Sequence, residues 1–374
     1  MKRRIDSRGI AIVVLIALLV LAPLHLKSSP YQMAVVTGAF FYAILASSWA
    51  LLAGIGGQFS FAHMAFVGLG AYTAGLLGRD LGTTLLVGII AGTLLAGLVG
   101  LVIGLLCLRL RAAYLALFTI AFSEILRIVL LTEFKFTEGS NGLQLSKLWA
   151  GITGTQEYYV TLGLLLGAMG LMYWLAGSRF GLFVRAMRED EEAASAMGVN
   201  VVRYKVMIFV ITSLIVGLAG AVFYHQVGII TPNTMEILQM SMVIAMAVIG
   251  GMESLLGAAV GAFFSRVSLE LLREINLFGL HIELGAWRYA AFGLLLIFTL
   301  RFAQNGLLYP IIDRLFMRRA REETVAKRVA AEAASPPELG GGEEGAASPP
   351  ELGGGEEGAA SPPELGGIEG GLKS

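Results

Sequence analysis

Charge is scarce in this sequence. Only 14% of its 374 residues are Asp, Glu, Lys or Arg, where an ordinary soluble domain carries about 25%, and 56% are hydrophobic. That balance excludes a soluble fold. Cysteine is scarcer still: Cys107 stands alone inside an apolar run, which excludes an internal disulfide and a Cys-based metal cluster. The four histidines, His25, His63, His225 and His281, lie far apart and have no zinc-ligand spacing. No G-x-x-x-x-G-K-[ST] segment occurs and no Lys follows a Gly, so the chain cannot cradle nucleotide phosphates in a P-loop. H-E-x-x-H and G-x-S-x-G are missing too. If ATP is involved, another subunit must bind it.

What the sequence does have is long apolar runs. A bilayer core takes roughly 20 apolar residues per helical crossing. The runs Gly9 to Leu24, Met33 to Ala53, Met64 to Gly78, Thr83 to Leu108 and Ala113 to Leu131 come first. Tyr158 to Ala176, Tyr204 to Tyr224, Ile237 to Gly250, Leu255 to Leu272 and Gly285 to Leu300 follow. They predict an all-α polytopic membrane protein of about ten transmembrane helices, or eight if the two shortest segments are re-entrant. The start, MKRRIDSR, also resembles the opening of a signal peptide, but no small-x-small cleavage site follows, so the first run is read as a span. With both termini in the cytoplasm, about 18 Lys and Arg fall inside and about six outside, as the positive-inside rule asks.

The division is then 1–32, first span and linker; 33–303, membrane domain; 304–334, a basic cytoplasmic segment; and 335–374, a tail. That tail repeats SPPELGGGEEGAA from Ser335, Ser348 and Ser361. From Val329 onward there are nine Glu against one Lys, leaving 26 basic and 18 acidic residues before it. The membrane part is basic and the tail acidic. Pro, Gly and Glu in this proportion cannot bury a core, and the tail is expected to be disordered.

Two apolar segments are interrupted in similar words, Ile55-Gly56-Gly57-Gln58-Phe59-Ser60 and Ile249-Gly250-Gly251-Met252-Glu253-Ser254. Non-helical backbone at membrane depth is tolerated only where protein or a wet cavity covers it. The pair reads either as the mark of parallel internal halves or as chance recurrence in a chain with 48 Gly, many used for close helix packing. Ionisable groups within spans need partners. Glu124 with Arg127, Glu270 with Arg273 and Arg266 with Glu270 stand three or four apart and can pair along one helix. Between spans, the run Arg188-Glu189-Asp190-Glu191-Glu192-Ala193-Ala194, closed by Met197 and Gly198, predicts one short helix outside the membrane with a glycine stop. Its small apolar face of Ala193, Ala194, Ala196 and Met197 suits docking against another protein.

Together these residues resemble the membrane permease subunits of branched-chain amino acid ABC importers, of the LivM type. The family's G-Q-x-S-x-x-H-x-x-F-x-G-x-G-A-Y is present as Gly57, Gln58, Ser60, His63, Phe66, Gly68, Gly70, Ala71 and Tyr72. Leu108, Arg109, Arg111, Tyr114 and Ala116 follow L-R-x-R-G-x-Y-x-A, with Ala112 in place of Gly. Thr137, Gly139, Ser140, Asn141, Gly142 and Leu143 follow T-G-G-S-N-G-L, with Glu138 in place of Gly. Arg188 to Gly198 holds the E-A-A-x-x-x-G pattern of ABC permease coupling loops. Near the second break the sequence departs: Glu253 stands where the family has Gly, and Ala258 where it has Pro.

The resemblance implies a multi-pass protein of the bacterial inner membrane, without covalent chemistry of its own. It would stand beside a LivH-like permease, two cytoplasmic ATPases and an external substrate-binding protein, bound by membrane lipid and not by nucleic acid. No cofactor is expected on this chain; ATP is used by the partners. The coupling segment, 178–203, would place Arg188, Glu189, Asp190, Glu192, Ala193, Ala194 and Gly198 against the ATPases. Gly57, Gln58, Ser60, His63, Phe66, Tyr72, Gly250, Gly251 and Glu253 would border the substrate pathway. The cargo is read as Leu, Ile and Val, with urea or a small amide as the alternative, and an ion-coupled secondary transporter as a more distant one.

Overall fold

The computed structural model describes residues 17–24, 29–106, 112–149, 151–277, 280–283, 285 and 287–302. The chain divides into two units, Met1–Arg321 and Glu322–Ser374, and every described residue lies in the first. The basic N-terminal cluster, Leu108, Arg109 and Arg111, the 304–334 segment and the repeat tail lie outside the described residues.

Helix α1 (17–24) precedes α2 (Pro30–Trp49), which Ser29 opens by accepting a hydrogen bond from the Gln32 amide, with Pro30 in the first turn. α2 runs on into a π-helix, Ala50–Ile55. After a break come α3 (His63–Leu81), α4 (Leu85–Leu106), α5 (Ala112–Thr132) and the short α6 (Phe134–Thr137). Strand β1 (Leu143–Gln144) pairs antiparallel with β2 (Ile229–Ile230), Leu143 opposite Ile230. Between them lie α7 (Gly154–Gly177), started by the Thr153 and Gln156 capping box, then α8 (Arg179–Glu189), α9 (Glu191–Ala196) and α10 (Val201–Val227). α11 (Ile237–Gly250) and α12 (Leu255–Leu271) follow, then an antiparallel hairpin of β3 (Glu274–Leu277) and β4 (Leu280–Glu283), and α13 (Trp287–Phe302).

Among the described residues, five helices are long and apolar enough to cross a membrane: α2 with its π-helical end, α4, α5, α7 and α10. α11 and α12, bent by 118° at their junction, make a sixth if taken as one broken span. The expected spans at Met64 to Gly78 and Gly285 to Leu300 appear as α3 and α13. α3 is bounded by His63 at one end and Arg79 with Asp80 at the other, and α13 has only 16 residues.

α2 is the central helix, with 83% of its apolar window buried. It runs antiparallel to α12: Tyr31 donates to Glu270 at one end, and Ser47 Oγ donates to the Leu255 carbonyl (3.0 Å) near the other. Glycine sets how closely the helices meet. A methyl group on Gly70 would strike the Gly217 carbonyl and one on Gly92 the Gly70 carbonyl, so α3, α4 and α10 touch backbone to backbone there. In lipid, where apolar surface gains nothing by leaving the solvent, such van der Waals contact is a main source of helix association.

Two ends of the bundle can be distinguished, a lever end carrying α8 and α9 and a ribbon end carrying β1 and β2. α11 leaves β2 at the ribbon end, and α12 returns there. α3 rises from its break to the ribbon, with Gly75 packed under Leu143 and Leu145. Both glycine breaks therefore lie at the lever end.

Candidate functional site

The first break is more than a loosened helix. The Gly56 amide reaches back five residues to the Leu51 carbonyl (3.0 Å), and Gln58 N reaches six, to Leu52 O (3.1 Å). Gly57 then turns with φ +68°, a conformation glycine adopts without penalty. The second break turns at Gly251 (φ +105°), and Ser254 restarts the helix by accepting from Gly257 N at 3.1 Å. Gly250, Gly257 and Gly261 let α11 and α12 close on each other with no side chain between. The two breaks also meet. A methyl on Gly54 would land on the Met252 carbonyl oxygen.

Arg188, the penultimate residue of α8, joins all three elements. Its Nη1 donates to the Gly54 carbonyl (2.5 Å) and its Nη2 to Glu253 Oε1 (2.7 Å), while its Cγ lies 3.0 Å from where a Gly57 Cβ would stand. A second tie runs alongside: Glu191 pairs with Lys205 (2.5 Å), whose carbonyl accepts from Gln58 Nε2 (3.2 Å). Glu253, at the position where the resemblance expects glycine, is thus the carboxylate that Arg188 of α8 holds.

The charged run differs from its expected form in two respects. It is not one helix: Asp190 (φ −154°, ψ 110°) ends α8 and starts α9, because its carboxylate accepts from the amides of Glu192 and Ala193, both at 2.9 Å. Ala194 does not belong to the exposed face. It is only 6% exposed, since α9 packs on α10 along that side, while Ala193, Ala196 and Met197 face outward with Glu189 and Glu192. The glycine stop is present, Gly198 at φ +85° donating to Ser195 O (2.9 Å).

Ser60, His63, Phe66 and Tyr72 sit in packed interior. Ser60 Oγ accepts from Ala62 N (3.2 Å), and its carbonyl accepts from Trp49 Nε1 (2.9 Å). His63 is fully buried, with neither ring nitrogen in a well-formed hydrogen bond. Phe66 packs between Phe122 and Phe209, and Tyr72 donates to Ile230 O (3.4 Å). Glu124 pairs with Arg127, and Glu270 with both Arg266 (3.1 Å) and Arg273 (3.3 Å), as their spacing suggests. Among the described residues, no group of His, Cys, Asp and Glu is arranged to hold a metal ion.

Glu138 is the one non-glycine described residue with positive φ (60°), at the position where the resemblance expects glycine. Arg79 reaches its carboxylate at 3.2 Å and also holds Asp80, whose carboxyl it keeps below the usual range by hydrogen bonding.

A cavity of about 420 Å³ lies toward the ribbon end, between α2, α11, α12 and α13. Tyr42, Gln239, Arg266, Glu270 and Arg273 give it polar groups, and Met242, Met246 and Leu269 an apolar wall. None of the glycine-break or pathway residues named above lines it. The sequence offered no sign of it, because it is assembled from α2 and α12, more than 200 residues apart.

A bundle of apolar helices, closed by glycine and broken at two points that Arg188 bridges, fits a protein that crosses the membrane several times. The chain belongs to the family described as branched-chain amino acid transport system / permease component, whose model matches residues 32–300. It is 29% identical over 311 residues to the high-affinity branched-chain amino acid permease protein LivM of Escherichia coli, covering 73% of each chain. It is 25% identical over 251 residues to a probable LivM of Methanocaldococcus jannaschii, covering 63% of this chain and 72% of that one. LivH of Salmonella typhimurium is 27% identical over 247 residues, covering 61% of this chain and 80% of its own. The chain is a multi-pass membrane permease.

Proposed function

We propose that this chain is one of two permease subunits of an ABC importer that carries Leu, Ile and Val across a bacterial plasma membrane. A LivH-like subunit stands beside it, an external binding protein delivers the cargo at the ribbon end, and two ATPases dock on α8 and α9 in the cytoplasm. The chain itself binds no nucleotide and performs no covalent step. ATP-driven movement of the lever is transmitted by Arg188 to the two glycine breaks, whose loosened backbone lets the helices exchange access from one side to the other. The observation that carries this reading is the family match across residues 32–300, which takes in both breaks and the lever.

The test is reconstitution with the partner permease, the ATPases and the binding protein in proteoliposomes. ATP-dependent uptake of radiolabelled leucine, competed by isoleucine and valine but not by urea, is the expected result. Uptake of urea with no uptake of leucine would reject the cargo. ATP hydrolysis by the purified chain alone would reject the division of labour.

A further inference from the structure

The cavity at the ribbon end has a charge arrangement that a structural ion pair does not need. Two guanidinium groups, Arg266 and Arg273, share one carboxylate, Glu270, at 3.1 and 3.3 Å, each through a single nitrogen, so both keep N–H donors beyond that pair. Tyr31 donates a further hydrogen bond to Glu270, fixing that carboxylate in place. Arg266 uses Nη1 for Glu270, its Nε packs toward Gly38 of α2, and its side chain, 32% exposed, lines the cavity with N–H groups that the Glu270 pair does not use. A ligand carboxylate is the group whose fork matches an arginine edge. The guanidinium also lies 5.6 Å from the centre of the Tyr42 ring, which limits its side-to-side freedom.

An anion alone would leave the rest of the cavity unexplained. Glu270 on α12 and the Gln239 side-chain oxygen on α11, which accepts from Tyr42 at 3.4 Å, add acceptors to the lining. Met242, Met246 and Leu269 add apolar, adaptable surface to the same cavity. Positive charge for a carboxylate, oxygen acceptors for an ammonium and an apolar wall for a side chain together describe an α-amino acid zwitterion. A cavity of about 420 Å³ is of the size small-molecule sites have.

We propose that this cavity is a binding site in the permease itself for an apolar α-amino acid, with its carboxylate on Arg266 and Arg273, its ammonium toward Glu270 and Gln239, and its side chain on Met242 and Met246. The proposal rests on the transport reading above and locates the cargo within it. Lying between α2, α11 and α12, the site touches both helices that lead into the glycine breaks, so occupancy there bears on the same elements that the lever moves.

The experiment uses the complete transporter in nanodiscs, without binding protein, and measures equilibrium binding of radiolabelled L-leucine. Unlabelled leucine, leucinol (no carboxylate), 4-methylpentanoate (no ammonium) and urea serve as competitors. Saturable leucine binding is expected, with both analogues weaker by at least about tenfold, the loss of one charge-assisted bond, and urea inert. Arg266→Gln should remove the preference for leucine over leucinol, Arg266→Lys should restore part of it, and Glu270→Gln should remove the preference over 4-methylpentanoate. Met246→Trp, which fills the cavity and leaves the ion cluster intact, should abolish binding while ATPase association is unchanged. Equal competition by leucine and leucinol, or wild-type leucine binding in both Arg266→Gln and Met246→Trp, would overturn the site. Leucine uptake in proteoliposomes that persists in those variants would overturn it while leaving the proposed function standing.

Discussion

Replacing Arg188 by alanine removes the two bonds that join the lever directly to both breaks, leaving the Glu191–Lys205–Gln58 tie as the remaining link. The bond to the Gly54 carbonyl is charge-assisted and partly buried, and such bonds contribute about 1.5–3 kcal/mol. The second link is weaker. Glu253 is 68% exposed and Arg188 33%, so solvent screening holds their pair to about 0.2–1 kcal/mol. Losing both removes roughly 2–4 kcal/mol from the connection between lever and bundle, where a tenfold change in coupling needs about 1.4 kcal/mol. The expected phenotype is therefore uncoupling: Arg188→Ala inserts, recruits the ATPases and hydrolyses ATP, but leucine moved per ATP falls at least about tenfold. Glu253→Gln should cost under about fivefold. Arg188→Lys should lie between, because a single ammonium lacks the fork that serves two acceptors at once. The assay is the ratio of leucine uptake to phosphate release in proteoliposomes, normalised to permease content. An unchanged ratio in Arg188→Ala, or a loss in Glu253→Gln as large as that in Arg188→Ala, would refute the linkage.

Gly54→Ala drives a methyl into the Met252 carbonyl and should destabilise the domain by at least the 1–3 kcal/mol typical of overpacking, seen as a lower melting temperature in detergent. Ala193→Trp should weaken ATPase capture in a pull-down while leaving thermal stability unchanged, whereas Ala194→Trp should lower stability first, because that side chain is inside the fold; the reverse pattern would move the docking face. Glu138→Gly should leave stability within about 1 kcal/mol of wild type, relief of the left-handed backbone being offset by the lost Arg79 contact and a looser unfolded chain. Deleting everything after about residue 332 should leave insertion and uptake unchanged, as read by membrane abundance and leucine flux, since the Pro, Gly and Glu repeat has no apolar surface to dock.

Apolar runs and a charged connector were enough to read the helical bundle, the position of the lever and both breaks, because each is written in contiguous residues. What contiguous residues do not record is where things meet. Nothing local in Ala50 to Ile55 distinguishes a π-helix from an α-helix; that choice follows from packing at Gly54 and Gly56. Arg188 reads as one more charge in a charged run, yet its partners lie 134 and 65 residues away. Glu253 did carry a signal, an acidic residue beside a glycine turn, and its compensating cation was 65 residues upstream. Asp190 was misread for a local reason: acidic residues favour a helix start, and here the start fell inside the run instead of before it. The pairing of Arg266, Glu270 and Arg273 followed from helical spacing, but Tyr31 and the cavity come from a helix more than 200 residues away.

The burial of α2 bears on how the protein is made. Its partners on α12 lie far along the chain, the Ser47 to Leu255 bond spanning 208 residues. At about 5–20 residues per second, a ribosome completes that stretch roughly 10–40 s after α2 has emerged. Throughout that interval the helix destined for the centre is in the bilayer with much of its docking surface, small residues and Ser47 and Ser48 included, uncovered. Biogenesis thus has a waiting step in which an insertion chaperone or an early-made neighbour such as α3 or α7 must shield α2. Nascent chains arrested before residue 255 should be cleared by membrane proteases, whereas those arrested after α12 should persist.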